Sequence, residues 1–460
     1  MTDRTSKATL LAAFAELERD AGHQQPAWLV GARRAAIDRF ARLDLPSTKD
    51  EAWKYTSLAP LRQTALDAAI DESATQPAED EIAAFRIGDG PAYRLIFVNG
   101  RYSAKLSAAP PLPGSARLGS LADVLLTDVD ALRPYLATSE SKADEDAFGA
   151  LNAAFWRDGA FLQVPAGMRL DAPVELLFIV TAPGFARAHH PRTVVALGPG
   201  SEAAVVETHV AIGHGVYLVN ATTEVFLGDG AGLEHTTVGL DSPQAFHVGR
   251  TRVAQSRDSR FTACSVTFGG RLVRNDVEAR LLGDGAACAL NGLYVVGGRQ
   301  HVDTHTLVDH AAPRATSRQL YKGILDGRAR GVFDGRVIVR KGSNGTDAHQ
   351  TNKNLLLSDG VEVDSKPQLE IFADDVKVSH GAADGQVAPE AVFYLKSRGL
   401  DEAAAQALLT RGFASEVLGR MRDPVLRTWL EDRLAERLRG GRVADDDAEA
   451  SAAAPITETT

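Results

Sequence analysis

Leu282–Val296 has the sequence LGDGAACALNGLYVV, and its pattern decides the fold of this 460-residue chain. A turn of glycine, aspartate and glycine leads directly into Ala289–Val296, an apolar run typical of a β-strand. Similar turns lie on both sides of it at intervals of about 30 to 55 residues, too irregular for a strict sequence repeat. They are Leu197–Gly200, Leu227–Gly230, Leu325–Gly327 and Leu357–Gly360.

The region between residues 159 and 388 is a succession of short β-like runs and such turns. No helical pattern intervenes, which disfavours a doubly wound α/β fold. Short strands with glycine and aspartate at the corners favour a β-solenoid, and a large β-sandwich is the second possibility. The open ends of a solenoid need covers, which helical patterns on both sides could supply. We therefore expect a mainly β fold: a β-helix core flanked by N-terminal and C-terminal α-helical regions.

The pattern changes divide the chain into five predicted parts. They are an N-terminal helical domain with a linker (1–92), a mixed connecting region (93–158), the β-helix core (159–388), a C-terminal helical domain (389–440) and a disordered tail (441–460). In the last helix, four leucines follow one another at i,i+4 spacing, which predicts one apolar face. That face is interpreted as the core of a helical bundle or, alternatively, as a surface for a partner. The leucines are Leu426, Leu430, Leu434 and Leu438.

Composition excludes several classes of function. With 50 basic and 60 acidic residues the net charge is −10, which argues against binding to duplex nucleic acid or to an anionic membrane. No apolar run approaches the roughly 18 residues of a membrane span, and the N-terminus lacks the apolar core of a signal peptide. We expect a cytoplasmic location. Cys264 and Cys288 are the only cysteines, so this chain alone offers neither a disulfide framework nor four thiolates for a cluster.

Two histidines and an aspartate form the first candidate metal site. His301, Asp303 and His305 would share one face of a strand, because side chains two residues apart point the same way. Imidazole and carboxylate ligands suit iron or zinc. The alternative is a structural role, in an outward strand face or in buried hydrogen bonds.

Residues 341–385 form the second candidate region, because they are dense in polar groups. In a parallel solenoid such groups often stack from coil to coil, so a structural ladder is expected for most of them. Asp374 and Asp375 resemble the paired acids of a glycan-processing enzyme, but neighbours on a strand face opposite ways and cannot flank one bond. His380 lies where the β pattern ends, and an imidazole exposed there can bind iron or exchange protons. The polar set is Asp347, His349, Gln350, Asn352, Asn354, Asp364, Lys366, Glu370, Asp374, Asp375, Lys377 and His380.

Several segments together resemble the SufB/SufD family of the Suf iron–sulfur cluster assembly machinery. The most specific begin with Thr346–Ser358 and continue through Asp364–Ile371, Ala373–Lys377 and Ser379–Ala382 to Phe393–Leu400. Lys49–Thr56, His301–His305 and Ser317–Lys322 also fit. Two details favour the SufD branch over the SufB branch. This chain has Ser379-His380-Gly381 where SufB-like chains carry a His-Glu pair, and Leu395 where they carry cysteine.

The resemblance implies a right-handed parallel β-helix between helical domains, and a complex with SufB and the ATPase SufC. It places the SufC-docking surface at about residues 389–412 and maps the histidine implicated in cluster formation at the SufB–SufD interface onto His380. Family members often have cysteine where this chain has Val378. A cluster role therefore falls on His380 and on the thiols of SufB.

The leading functional prediction is a non-catalytic scaffold, with a transient iron–sulfur cluster shared with SufB and none bound stably by the isolated chain. The isolated chain is expected to be able to form a homodimer, and no nucleic-acid or membrane partner is expected. One alternative is a β-helix enzyme acting on acidic polysaccharide, which the missing signal peptide and the charge of −10 disfavour. The other is a stand-alone metalloprotein that uses His301, Asp303 and His305.

Overall fold

A computed structural model describes residues 7–20, 25–66, 76–88, 93–136, 146–181, 186–439 and 442–443. Most of the predicted disordered tail, residues 444–460, lies outside the described residues. The ten α-helices of the described part are α1 (Lys7–Asp20), α2 (Ala27–Leu43), α3 (Ala59–Gln63), α4 (Glu79–Ala83), α5 (Leu121–Thr127), α6 (Val129–Leu136), α7 (Ala147–Phe155), α8 (Pro389–Ser397), α9 (Glu402–Leu418) and α10 (Pro424–Arg437), with a short 3-10 helix at Glu51–Trp53.

Strands make up most of the region between α7 and α8. In chain order the strands are β1 (Tyr93–Val98), β2 (Arg101–Tyr102), β3 (Arg117–Ser120), β4 (Gly159–Val164), β5 (Val174–Thr181), β6 (Arg187–His189), β7 (Arg192–Leu197), β8 (Glu202–Ile212), β9 (Tyr217–Leu227), β10 (Gly232–Leu240), β11 (Phe246–Gln255), β12 (Arg260–Thr267), β13 (Leu272–Leu281), β14 (Ala287–Val296), β15 (His301–His310), β16 (Thr316–Leu325), β17 (Arg330–Val339), β18 (Thr346–Leu356), β19 (Glu362–Ile371), β20 (Val376–Gly385), β21 (Leu438–Arg439) and β22 (Arg442–Val443).

From β7 to β20 successive strands alternate between two sheets, and within each sheet they pair in parallel with the strands one coil before and one coil after. The pairs β1–β2 and β3–β4 are antiparallel. The first sheet runs from β1 through β5 and the even-numbered strands β8 to β20; the second runs from β4 through β7 and the odd-numbered strands to β19. The result is a parallel β-solenoid of about seven coils. The predicted mainly β class, the parallel β-helix and the helical flanks are confirmed, and the described residues do not form the alternative β-sandwich.

The coils are more regular than the glycine turns suggest. From β8 to β20 the paired residues are separated by 26 to 32 positions, as in the pairs Phe246–Leu272 and Arg330–Glu362. The corners stack directly, since the amide of Gly230 donates to the carbonyl of Arg257 over 2.7 Å. Asp258 then takes the left-handed conformation (φ 53°) that Gly230 takes in the coil before (φ 67°). An aspartate can adopt this conformation at modest cost, so the corner recurs in the fold without recurring as glycine in the sequence.

The helices cover the outer faces of the two sheets, whereas the sequence suggested covers for the ends. Helices α1, α2 and α7 pack on outward residues of the second sheet, including Leu218 and Phe246. Helices α9 and α10 pack on outward residues of the first sheet, including Val206 and Val266. Three leucines of the predicted stripe lie on α10 and the fourth, Leu438, lies just past its end in β21. All four are buried in this second cluster, so the stripe is used within the chain. These faces need covers because their central strands are apolar on both sides.

A buried polar group interrupts the apolar interior near β8. The Glu207 carboxylate lies 3.1 Å from His209 Nε2 and 3.4 Å from His235 Nε2, and it accepts a 2.8 Å hydrogen bond from Thr223. Burial alone would raise the pKa of Glu207, but its interactions with the two imidazoles outweigh burial and hold the pKa well below its usual range. The carboxylate is thus stabilised in its charged form inside the solenoid.

Glu207→Gln is predicted to lower the free energy of unfolding at pH 7 by about 3 kcal/mol, because it removes one member of a buried, hydrogen-bonded charge network. Since the folded-state pKa is depressed, the contribution of Glu207 is complete above the ordinary glutamate pKa of about 4.3 and declines as the pH falls below it. Urea unfolding followed by circular dichroism from pH 7 to pH 3.5 measures both effects.

The matched control is Glu202→Gln, because Glu202 lies on the same strand with a side chain that is 40% exposed. An exposed ion pair contributes at most about 1 kcal/mol, so this variant should be close to the wild type. Equal stability of the Glu207 and Glu202 variants at pH 7 would show that the buried network does not stabilise the solenoid.

Candidate functional site

The solenoid ends at an open edge formed by β19 and β20. Each is the last strand of its sheet, and no strand in the described part of the chain pairs with its outer edge. The residues of β20 are mostly exposed, in contrast to those of the central strands. Backbone N–H and C=O groups at such an edge are free to pair with another strand. We call this surface, β19 and β20 together, the open end.

His380 lies on β20 and is exposed at the open end. Its neighbour on β18 is Gln350, and two residues earlier Val378 pairs with Ala348. Ala348 is buried in the solenoid core and Val378 packs against that core. Because alternate residues of a strand share a face, His380 belongs to the row of side chains that continues the interior of the solenoid to its end.

Apolar and polar groups occupy different parts of the open end. Ile371 and Phe372, where β19 ends, are 42% and 60% exposed. Further along β20, Asp384 accepts a 2.8 Å hydrogen bond from the amide of Asn354, which also donates to Asn352 over 2.9 Å. Of the residues predicted to stack as a ladder, Asn354 therefore bonds from one coil to the next, while its bond to Asn352 runs along the same strand. The exposed Ile371-Phe372 pair was missed, although two large apolar residues before Ala373-Asp374-Asp375 were a visible signal.

The structure places His301, Asp303 and His305 on one outward face of β15, as the strand pattern predicted. Asp303 is only 1% exposed and forms a 2.7 Å ion pair with Arg274 of the neighbouring strand. It also accepts a 2.5 Å hydrogen bond from Thr56 and lies 3.0 Å from His305 Nε2. Burial tends to raise the pKa of Asp303, but Arg274 and His305 outweigh burial and hold it below its usual range.

These contacts attach the N-terminal segment to the second sheet. Arg274 donates to the carbonyl of Ala52 over 2.7 Å and stacks on the ring of Trp53 at 4.6 Å. Thr56 bridges Asp303 and His301, whose Nε2 is 2.9 Å from the Thr56 hydroxyl. Burial lowers the pKa of His301, which favours its neutral ring. Asp303 is thus engaged by a guanidinium and a hydroxyl, and in the part of the chain described here no three His, Cys, Asp or Glu side chains are grouped to hold a metal ion.

The cysteines are not placed to ligate a cluster, and the acidic pair is not placed to act as the paired acids of a glycan-processing enzyme. Cys264 and Cys288 are buried, and burial raises the pKa of each thiol to about 12, so that neither is a thiolate near neutral pH. Asp374 and Asp375 lie in the corner between β19 and β20, not on one strand, and both are exposed.

The C-terminal helices present a second exposed surface. Helix α8 has no buried residue, and its Phe393 and Tyr394 are 74% and 56% exposed. Leu408 of α9 is 51% exposed. Large exposed apolar side chains on neighbouring helices are a feature of surfaces that bind other proteins. We call Phe393, Tyr394 and Leu408 the helical patch.

Helix α9 is attached to the first sheet by a lysine that the sequence did not single out as a site residue. Lys322 of β16 is 3% exposed at its side chain and forms an ion pair with Glu416 of α9. Its ammonium donates to the carbonyl of Phe413 over 2.9 Å and lies 4.1 Å from the centre of the Phe413 ring. Lys353 of the adjacent β18 is 3.6 Å from the same Glu416. A lysine inside the apolar run Leu320–Leu325 was the signal, since an isolated buried ammonium is costly without a partner.

Comparisons with known proteins agree with these features. Residues 178–413 match the family described as "SUF system FeS cluster assembly, SufBD core domain", and residues 4–176 match "SufBD protein N-terminal region". An iron–sulfur cluster assembly SufBD family protein of Synechocystis is 32% identical over 402 residues, which cover 85% of this chain and 87% of the relative.

Two relatives carry the name iron–sulfur cluster assembly protein SufD. The Escherichia coli protein is 30% identical over 407 residues, covering 88% of this chain and 92% of its own, and the Bacillus subtilis protein is 26% identical over 413 residues, covering 87% and 91%. None of the helices in the described segments is long and apolar enough to cross a membrane. The resemblance in the central motifs is therefore confirmed, and this chain belongs to the SufBD family of the Suf iron–sulfur cluster assembly system.

Proposed function

We propose that this chain is a non-catalytic scaffold subunit that pairs with SufB through the open end and with the ATPase SufC through the helical patch. In this proposal, nascent clusters form where His380 meets SufB. The observation that carries it is the exposure of His380 on β20, a strand whose outer edge is unpaired within the described chain. The relatives from Synechocystis, Escherichia coli and Bacillus subtilis are named as assembly proteins, which supports a role without catalysis.

An unpaired strand edge beside exposed apolar side chains favours a partner with a strand edge of its own. A long exposed edge promotes uncontrolled aggregation unless another strand or a cover pairs with it. Strand addition satisfies the free backbone groups, while side-chain contacts give specificity. Ile371 and Phe372 would supply apolar contact area for such a partner. SufB, a paralogue with the same core, fits this requirement, and in its absence a second copy of this chain could form a homodimer.

The cluster is cargo in this scheme, and the ligands available from this chain support transient binding. A stable cluster normally needs about four thiolates, whereas both thiols here are buried and protonated. Position 378 is a valine, so the exposed imidazole of His380 is the ligand offered at the open end. Thiolates would have to come from SufB. Mixed, incomplete ligation suits a cluster that must be passed on.

The attachment of α9 supports a role for SufC in changing the open end. The ion pairs of Glu416 connect α9 to β16 and β18, and β18 pairs directly with β20. A displacement of the helical patch by a bound ATPase would therefore act on strands next to His380. A cytoplasmic location is part of the proposal and stays a prediction.

His380→Ala is predicted to lower the cluster content of the assembled complex severalfold while leaving the melting temperature of the chain unchanged, because the side chain is exposed. The complex of this chain with its host's SufB and SufC would be reconstituted with iron and sulfide, and bound iron, bound sulfide and visible absorption measured. His214→Ala is the matched control, since His214 is exposed in the corner between β8 and β9. Undiminished cluster content in the His380 variant would exclude the assigned role.

Phe393→Asp is predicted to weaken binding to SufC by about 30-fold, the equivalent of the roughly 2 kcal/mol typical of an aromatic hot spot. The stability of the chain should change by less than about 0.5 kcal/mol, because the ring is 74% exposed. Isothermal titration calorimetry with SufC measures the affinity. Leu126→Asp on α5, 75% exposed, is the control and should bind SufC normally. Wild-type affinity of the Phe393 variant would remove α8 from the docking surface.

A further inference from the structure

The row of interior side chains behind His380 consists of hydrogen-bonded amides. Gln350 is the in-register neighbour of His380 on β18, and Gln319 is the neighbour of Gln350 on β16. Both glutamines are at least 95% buried, with exposures of 2% and 4%. The exposed histidine of the open end is therefore backed by a buried polar row that leads into the solenoid.

In the structure the Nε2 end of the Gln350 amide points toward Gln319, whose own Nε2 has no partner among the described residues. Gln319 Oε1 accepts from the Thr306 hydroxyl over 2.8 Å and from Gln350 Nε2 over 3.3 Å. The Nε2 end of Gln350 is thus used as a donor toward the interior. On the facing strand Gly335 makes room for it, since a Cβ at that position would collide with Gln350 Nε2.

The other end of the same amide is left as an acceptor. Gln350 Oε1 is buried and has no hydrogen-bond partner within the described part of the chain. A buried acceptor without a partner costs free energy, so a donor that can reach it is favoured there. His380 is the next inward-facing residue in register, and its imidazole ring carries an N–H that can donate.

We propose that Gln350 is a positioning residue for His380: its Oε1 accepts the ring N–H of His380 and fixes the tautomer and orientation of the imidazole. A neutral imidazole has one N–H and one lone pair, so a hydrogen bond at one nitrogen decides which nitrogen is free to bind iron. The second nitrogen then faces outward from the open end. This inference rests on the proposed role of His380 and adds the residue that prepares it.

The tautomer of His380 tests the proposal without any cluster. The chain is labelled with ring-¹⁵N histidine, and the signals of His380 among the 12 histidines are identified by their loss in His380→Ala. At about pH 8 the two ring nitrogens of wild-type His380 should resonate far apart, as in a single tautomer. In Gln350→Met, which keeps side-chain length and removes the acceptor, the pattern should shift toward that of an unconstrained histidine.

Two further variants separate positioning from a merely structural effect. Gln350→Glu retains an acceptor at the same place and should restore the wild-type tautomer. His349→Gln alters the adjacent residue on the outward face of β18, where His349 contacts Ser379 over 2.5 Å, and should leave His380 unchanged. Identical ring spectra of wild type and Gln350→Met would overturn the proposal. If Gln350→Met fails to fold, the wild-type spectrum alone still tests the proposal. A His380 ring that exchanges freely between both tautomers in the wild type would overturn it.

Cluster content provides a second readout that distinguishes this inference from the proposed function. In the complex with SufB and SufC, Gln350→Met should lower cluster content severalfold, and Gln350→Glu should recover most of it. If His380→Ala has no effect on cluster content but the tautomer depends on Gln350, the proposed function fails and the hydrogen bond remains. If His380→Ala abolishes assembly and the tautomer is independent of Gln350, the proposed function stands and the positioning role fails.

Discussion

Parallel hydrogen bonding between successive coils is the constraint on which the rest of this structure depends. Each interior strand satisfies its backbone groups through the strand one coil before and the strand one coil after, as β14 does with β12 and β16. Such a stack has no natural end, because the last strand of each sheet always keeps one unpaired edge. The open end at β19 and β20 is therefore a direct product of the fold, and a binding surface there requires no special loop.

The same stacking makes the outer faces of the central strands apolar and leads to the helical covers. Helices from both ends of the chain return to these faces, and α9 is further attached through the buried ammonium of Lys322. Arg274 and Asp303 perform a comparable task on the second sheet, where they hold the segment around Trp53 and Thr56. Charged residues that look like a metal site in the sequence thus serve to attach one part of the chain to another. A buried carboxylate needs such partners, because an unpaired charge in the interior is unstable.

The chemistry available at the open end follows from which side chains remain exposed there. Interior coils bury their inward rows, so thiols and carboxylates within them are either protonated or neutralised by partners, as with Cys288 and Glu207. In the last described coil part of the inward row is exposed, and His380 and Asp384 are the titratable members of that row on β20. Under the proposed function, a chain that offers an imidazole and no accessible thiolate would hold a cluster only together with another protein.

The solenoid could be predicted from the sequence, because glycine and aspartate corners followed by β-like runs recur along the core and need little long-range information. It also carried the family motifs around His380. The regular coil length was hidden, since Asp258 and Arg314 take the left-handed corner conformation without being glycine. Only the tertiary structure decided the roles of His301, Asp303 and His305, because Arg274 and Thr56 reach them from distant parts of the sequence. The tertiary structure also decided that Gln350 lies behind His380 with its acceptor oxygen unpartnered among the described residues. Strand pairing brings together residues about 30 positions apart in the sequence. The periodicity of a single strand cannot predict which of them meet.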